Sequence, residues 1–271
     1  MSESPYTFLG RQIVRATSVF ALAAGMVFPV FPAGPAVIES PYQVGQSALA
    51  VVTPRTAPSQ PTLGLVEAAH PLGAPAPPTE PSSAFKFLET NPDGSPVAYD
   101  PCRPIHYVTN GAKQPANGPQ LVKEALAAVS KATGLVFIDD GSTNEPGGFQ
   151  RKAFQPERYG DRWAPVLIAW IDQSDQPKYA GYTHSQWFSV DGGNAIYETG
   201  EVDLSVNPAY NGDDKYELAV LKHEFGHLMG LAHDDDGDQL MTSKAIHQKY
   251  DYQPGDLAGL AILGQGKCLG F

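Results

Sequence analysis

The chain has 271 residues, 42% of them hydrophobic, enough for one large domain or two small ones. Its formal net charge of -11 argues against nucleic acid or an anionic membrane surface as the natural partner. It carries only two cysteines, Cys102 and Cys268, which rules out a disulfide-dense mini-scaffold.

In chain order, Arg11 and Arg15 precede an uncharged span, residues 16–38. Its first 13 residues, followed by prolines and small residues, fit the apolar core of a secretory signal. The whole span is also long enough for a membrane anchor. Residues 1–38 therefore read as a signal peptide or an anchor, either of which puts the rest of the chain outside the cell. Residues 39–83 hold nine prolines and seven alanines but only four charges, the composition of an extended linker.

A folded domain is expected over residues 84–271. Residues 84–88 alternate in polarity and lead into the turn Asn91-Pro-Asp-Gly94. Residues 104–109 read as a strand, and 120–133 as an amphipathic helix stopped by Gly134. Residues 135–138 are expected to form a short buried strand, and 164–171 a central one, near-continuously apolar. Segments 179–184 and 195–204 follow as strands, then a helix from about Asp214, and a last helix near 256–263 with Asp256 as its N-cap.

The helix from Asp214 carries the densest chemical signal. Residues His223, Glu224, His227, Gly230 and His233 fill all five specified positions of H-E-x-x-H-x-x-G-x-x-H. Ordinary residue frequencies would produce that match by chance in roughly one sequence in 10⁵ of this length. Histidines four apart on a helix project from one face, about 6 Å apart along the axis, so both can reach one Zn²⁺. Gly230 permits the left-handed turn that ends the helix and brings His233 round as a third nitrogen ligand. Three ligands leave one position for water, the mark of a catalytic zinc. Glu224, beside the first ligand, serves as general base rather than ligand.

This motif, with Met241 a few residues beyond it, resembles the metzincin clan of zinc endopeptidases, in particular the small bacterial matrixin-like enzymes. The resemblance covers residues 84–271. It implies an α+β fold: a twisted, mostly parallel sheet with one antiparallel edge strand near residues 179–184, a long packing helix and the zinc helix. A small C-terminal subdomain would hold Met241 in a methionine turn and the terminal helix. The implied activity is hydrolysis of peptide bonds in polypeptide substrates by a monomer holding one catalytic Zn²⁺. Asp234 stands where some metzincins carry an aspartate. Tyr250 would line the specificity pocket or stabilise the oxyanion, as a tyrosine does in some relatives.

His70, His106, His184 and His247 receive no catalytic role. The acids Asp234, Asp235, Asp236 and Asp238 lack the glycine and distal glutamate of a calcium loop, and no ligand set for a structural Ca²⁺ or a second Zn²⁺ assembles. In an exported chain Cys102 and Cys268 are expected to be joined, the rivals being a Cys102 zinc switch or two buried free thiols. Two other functions remain open: an inactive metzincin-fold binding module, and a zinc hydrolase of cell-wall peptides.

Overall fold

The computed structural model describes residues 60–61, 68–78, 80–148, 151–172, 179–189, 193–206, 213–234, 237–243 and 249–268. The expected leader, residues 1–38, and His247, Asp235 and Asp236 lie outside them. Among the described residues no helix is long and apolar enough to cross a membrane.

The elements run β1 (Lys86–Phe87), β2 (Ile105–Asn110), α1 (Gly118–Thr133), β3 (Phe137–Ser142), α2 (Pro156–Tyr159), β4 (Val166–Ile171), β5 (Gly181–Ser189), β6 (Ala195–Ser205), α3 (Asp214–Met229), β7 (Leu231–Ala232) and α4 (Pro254–Leu263). Five strands form one sheet in the order β3-β2-β4-β6-β5. Every pairing in it is parallel except that of β5 with β6, so the sheet is mostly parallel with one antiparallel edge strand. The resemblance implied an edge near residues 179–184; the strand observed runs from Gly181 to Ser189.

α1 forms where apolar residues recur at helical spacing, and Gly134 ends it at φ 75°, which a side chain would resist. Leu121, Val122, Ala125 and Val129 of α1 pack with Val220, Phe225 and Leu228 of α3 and with Ile105, Ile168, Val202 and Leu204 of the sheet. Full burial of each large aliphatic side chain there contributes about 1.5–3 kcal/mol. On the opposite face of the sheet Val108, Leu167 and Ala169 form a second cluster, with Tyr159 and Ile171 against it. β4 is therefore covered on both faces, which is why its sequence does not alternate.

Two expectations need correction. The strand after α1 is not short, buried and confined to residues 135–138: it begins at Phe137 and runs along the outer edge of the sheet with its residues from Ile138 to Ser142 exposed. The apolar run misleads because Leu135 belongs to the helix exit, where its N–H donates to Thr133 Oγ1 and its carbonyl accepts from Ser130 Oγ. The polar stretch Asp139-Asp140-Gly141-Ser142 suits an edge that must not recruit another strand. Second, the N-cap of α4 is Gln253, and Asp256 is its third residue, closing a capping box. Asp256 accepts from Gln253 N (2.8 Å) and reaches back to Leu240 N (2.8 Å) and Met241 N (3.2 Å).

Residues 68–78 of the expected linker lie against the domain. Ala68 N donates to the carbonyl of Cys102, Leu72 N to that of Pro101, and Ala76 N to that of Lys131 near the end of α1. Cys102 and Cys268 are joined in a disulfide, as expected.

Candidate metal centre

α3 starts where the Asp213 side chain accepts from Tyr216 N at 2.9 Å, satisfying one of the donors a helix start leaves open. Its last two turns carry His223, Glu224 and His227, all buried. Gly230 then takes φ 117°, and a Cβ there would crowd Tyr197, Leu263 and the carbonyl of Val97. Beyond it β7 pairs antiparallel with β1, and Leu88 N donates to the carbonyl of Gly230. The start of the domain thus holds the turn that delivers His233.

The three expected ligands come together. His223 Nε2 lies 3.1 Å from His227 Nε2 and 3.2 Å from His233 Nε2, and the last two are 3.1 Å apart. His223 Nδ1 donates to the carbonyl of Leu240 and His227 Nδ1 to that of Leu231, each at 2.7 Å. Those bonds place the ring proton on Nδ1 and turn a lone pair on each Nε2 toward the common centre. Burial pushes His223 down to about 3 and His227 well down, so both rings are neutral. Three nitrogens facing one point at such distances would repel unless a cation joins them. The edge of a tetrahedron around Zn²⁺ with bonds of 2.0–2.1 Å is about 3.3–3.4 Å, so the donor set fits that ion. This cluster is one of two groupings of metal-ligating side chains among the described residues; the other consists of Asp100 and the disulfide-bonded Cys102 and Cys268.

Glu224 follows His223 in α3, and its buried side chain lies against β5. Its Oε2 accepts from Thr183 Oγ1 at 2.7 Å, while Oε1 is buried with no hydrogen-bond partner among the described residues. Burial raises the carboxyl to about 8 against the pull of Thr183. Gly181 abuts the same side chain: a Cβ on it would stand 2.7 Å from both Cγ and Oε1. Neither Thr183 nor Gly181 was singled out from the sequence. The available signal was the run of small residues Gly181, Thr183 and Ser185 at period two within a strand of otherwise large side chains.

Met241 is buried and its sulfur packs against Gly226 of α3, where a Cβ would collide with it. Asp234 N donates to the carbonyl of Met241 at 2.8 Å. Tyr250 lies under the Lys215 ammonium, 4.0 Å from Nζ to ring centre, near the start of α3. His106 bonds Asp140 on the far edge of the sheet, and His70 is exposed.

No protein-family model and no curated protein sequence matches the chain. Among solved structures it is similar to high choriolytic enzyme 1, a hatching-enzyme zinc protease from the medaka fish Oryzias latipes, at 10% identity and a TM-score of 0.33. That likeness covers 67% of this chain and 95% of the other.

Proposed function

We propose that the protein is a zinc-dependent endopeptidase of the metzincin type, matrixin-like in its organisation. The observation that carries this is the convergence of the three Nε2 atoms within 3.1–3.2 Å, with the buried Glu224 carboxyl on the residue next to His223. His223, His227 and His233 would hold the metal. When bound, zinc supplies Lewis acidity toward a scissile carbonyl and makes water nucleophilic near neutral pH.

Glu224 accepts the proton that the attacking water sheds and passes it to the departing amine as the C–N bond breaks. β5 ends the sheet, so one row of its backbone N–H and C=O groups has no strand partner among the described residues. An extended polypeptide would lie along that row, its main chain bonded and its side chains alternating outward. Met241 takes the role of the methionine under the ligand cluster. Residues 1–38 serve as signal or anchor, with the enzyme acting outside the cell. The presence of Glu224 and all three histidines speaks against an inactive binding module.

The test is digestion of a diverse peptide library by the full chain, with and without a zinc chelator. Cleavage should stop on chelation and return with zinc. Glu224→Gln should keep one zinc per chain and its melting temperature while losing about 10²–10⁴ in rate. A Glu224→Gln protein that cuts at the wild-type rate would remove this mechanism.

A further inference from the structure

The contacts between β5 and α3 do more than close the core. Gly181, Thr183 and Ser185 lie at alternate positions of β5, opposite Leu204, Val202 and Gly200 of β6. Val202 and Leu204 belong to the core shared with α3, so these three small residues face the ligand helix. Ser185 Oγ donates to the carbonyl of Leu228 at 3.0 Å, which docks the strand on the helix. Thr183 differs from it in reaching a side chain. Its Oγ1 lies 2.7 Å from Glu224 Oε2 and 3.0 Å from the carbonyl of the same residue.

We propose that Thr183 and Gly181 are positioning residues for Glu224, Thr183 tethering Oε2 and Gly181 leaving the room in which Oε1 sits, so that Oε1 is the oxygen that exchanges protons with the reactants. This rests on the reading of Glu224 as the base.

A hydroxyl has one proton to donate, and the carboxyl oxygen is the nearer of its two acceptors, at 2.7 Å against 3.0 Å. A carboxylate held at one oxygen and against the helix backbone keeps few orientations, so its second oxygen is fixed in place. That second oxygen is buried with no partner among the described residues, an arrangement a protein keeps where a reactant will complete the bonding. Beside it a methyl group on residue 181 would meet Cγ and Oε1 at 2.7 Å, closer than such atoms approach, and would push the carboxyl away.

Three variants of the full chain test this: Thr183→Val, Thr183→Ser and Gly181→Ala. Thr183→Val keeps the shape and drops the hydroxyl. It should bind one zinc and keep KM, while kcat falls roughly 10–100-fold, the effect of losing a hydrogen bond to a charged group. Thr183→Ser restores the donor and should recover kcat to within a few-fold. Gly181→Ala should lower kcat in the same way as Thr183→Val.

A second readout needs no activity. In metal-free protein carrying ¹³C-labelled glutamate, the Glu224 carboxyl infrared band, assigned by its loss in Glu224→Gln, should shift in Thr183→Val and return in Thr183→Ser. Wild-type kcat in Thr183→Val overturns the proposal, and so does a serine variant as slow as the valine one or an infrared band that does not move. If the zinc-loaded wild type cleaves no peptide at all, the endopeptidase reading falls, and the infrared band alone decides whether the tether exists.

Discussion

His233 reaches the ligand cluster by a different route from its two partners. His223 and His227 share a helix, and their positions follow from α3 alone. His233 depends on the left-handed Gly230, on the carbonyl bond from Leu88 and on the short β1–β7 ladder. His233→Ala should therefore leave the fold intact and lose zinc at chelator concentrations the wild type survives; a variant that still holds stoichiometric zinc would refute the three-histidine centre. A second residue-scale prediction concerns Asp203, fully buried on the other face of β6. Burial and the neighbouring Glu201 carboxyl raise it well above the usual carboxylate range. The folded chain thus keeps a proton that the unfolded chain gives up near 3.8, and stability falls as pH rises from there through the raised folded value. Asp203→Asn stays neutral throughout, so its melting temperature should exceed that of the wild type by a margin that widens from pH 5 to pH 8. A margin that ignores pH would show that Asp203 is not the group responsible.

Between elements, the link with most consequence runs from α4 to the ligand helix. Asp256 Oδ2 holds the N–H of Leu240, and the carbonyl of Leu240 holds His223 Nδ1. Gln239 answers from the turn, its side-chain oxygen accepting from Gly255 N at 2.9 Å. Asp256→Ala removes three acceptor bonds at once and frees the peptide that orients His223. Zinc affinity should drop about 10–100-fold, as for other groups behind a ligand, together with the melting temperature. A lower melting temperature with unchanged zinc affinity would mean the turn and His223 are not coupled. This link also marks what the sequence could reveal. The pairing of His223 with His227 was readable because a helix converts sequence distance directly into spatial distance, and His233 because Gly230 marks the turn that follows. The edge strand was expected only through the family resemblance that the motif carries, whereas the helix stop at Gly134 was readable from one residue. Asp256 was visible only as a helix cap, and Thr183 not at all, because their partners lie 15–16 and 41 residues away. The positions of such partners depend on strand register and helix packing, which residue types do not encode locally.

For the molecule as a whole, the disulfide between Cys102 and Cys268 ties the approach to β2 to the chain beyond α4, across 166 residues. The same corner gathers other fastenings. Ala68 and Leu72 donate to the carbonyls of Cys102 and Pro101, and Cys102 N donates to Asp100 Oδ1 at 2.8 Å. The bond lies past the far end of α4 from Asp256, a helix of ten residues and so about 15 Å long. Its effect should therefore fall on stability and leave the ligand cluster in place. Closing so long a loop is worth at most about 5 kcal/mol by the chain-entropy argument, and measured bonds more often give 2–4 kcal/mol. For a domain of this size that corresponds to a melting temperature about 5–15 °C lower in Cys102→Ser. Peptidase activity per folded molecule should stay near that of the wild type, and the oxidised, denatured wild type should show no free thiol. The two outcomes separate a fastening from a switch. If Cys102 served instead as a zinc-blocking thiol, reduction would lower the activity of the wild type by freeing the thiol to reach the metal, and would leave that of Cys102→Ser unchanged.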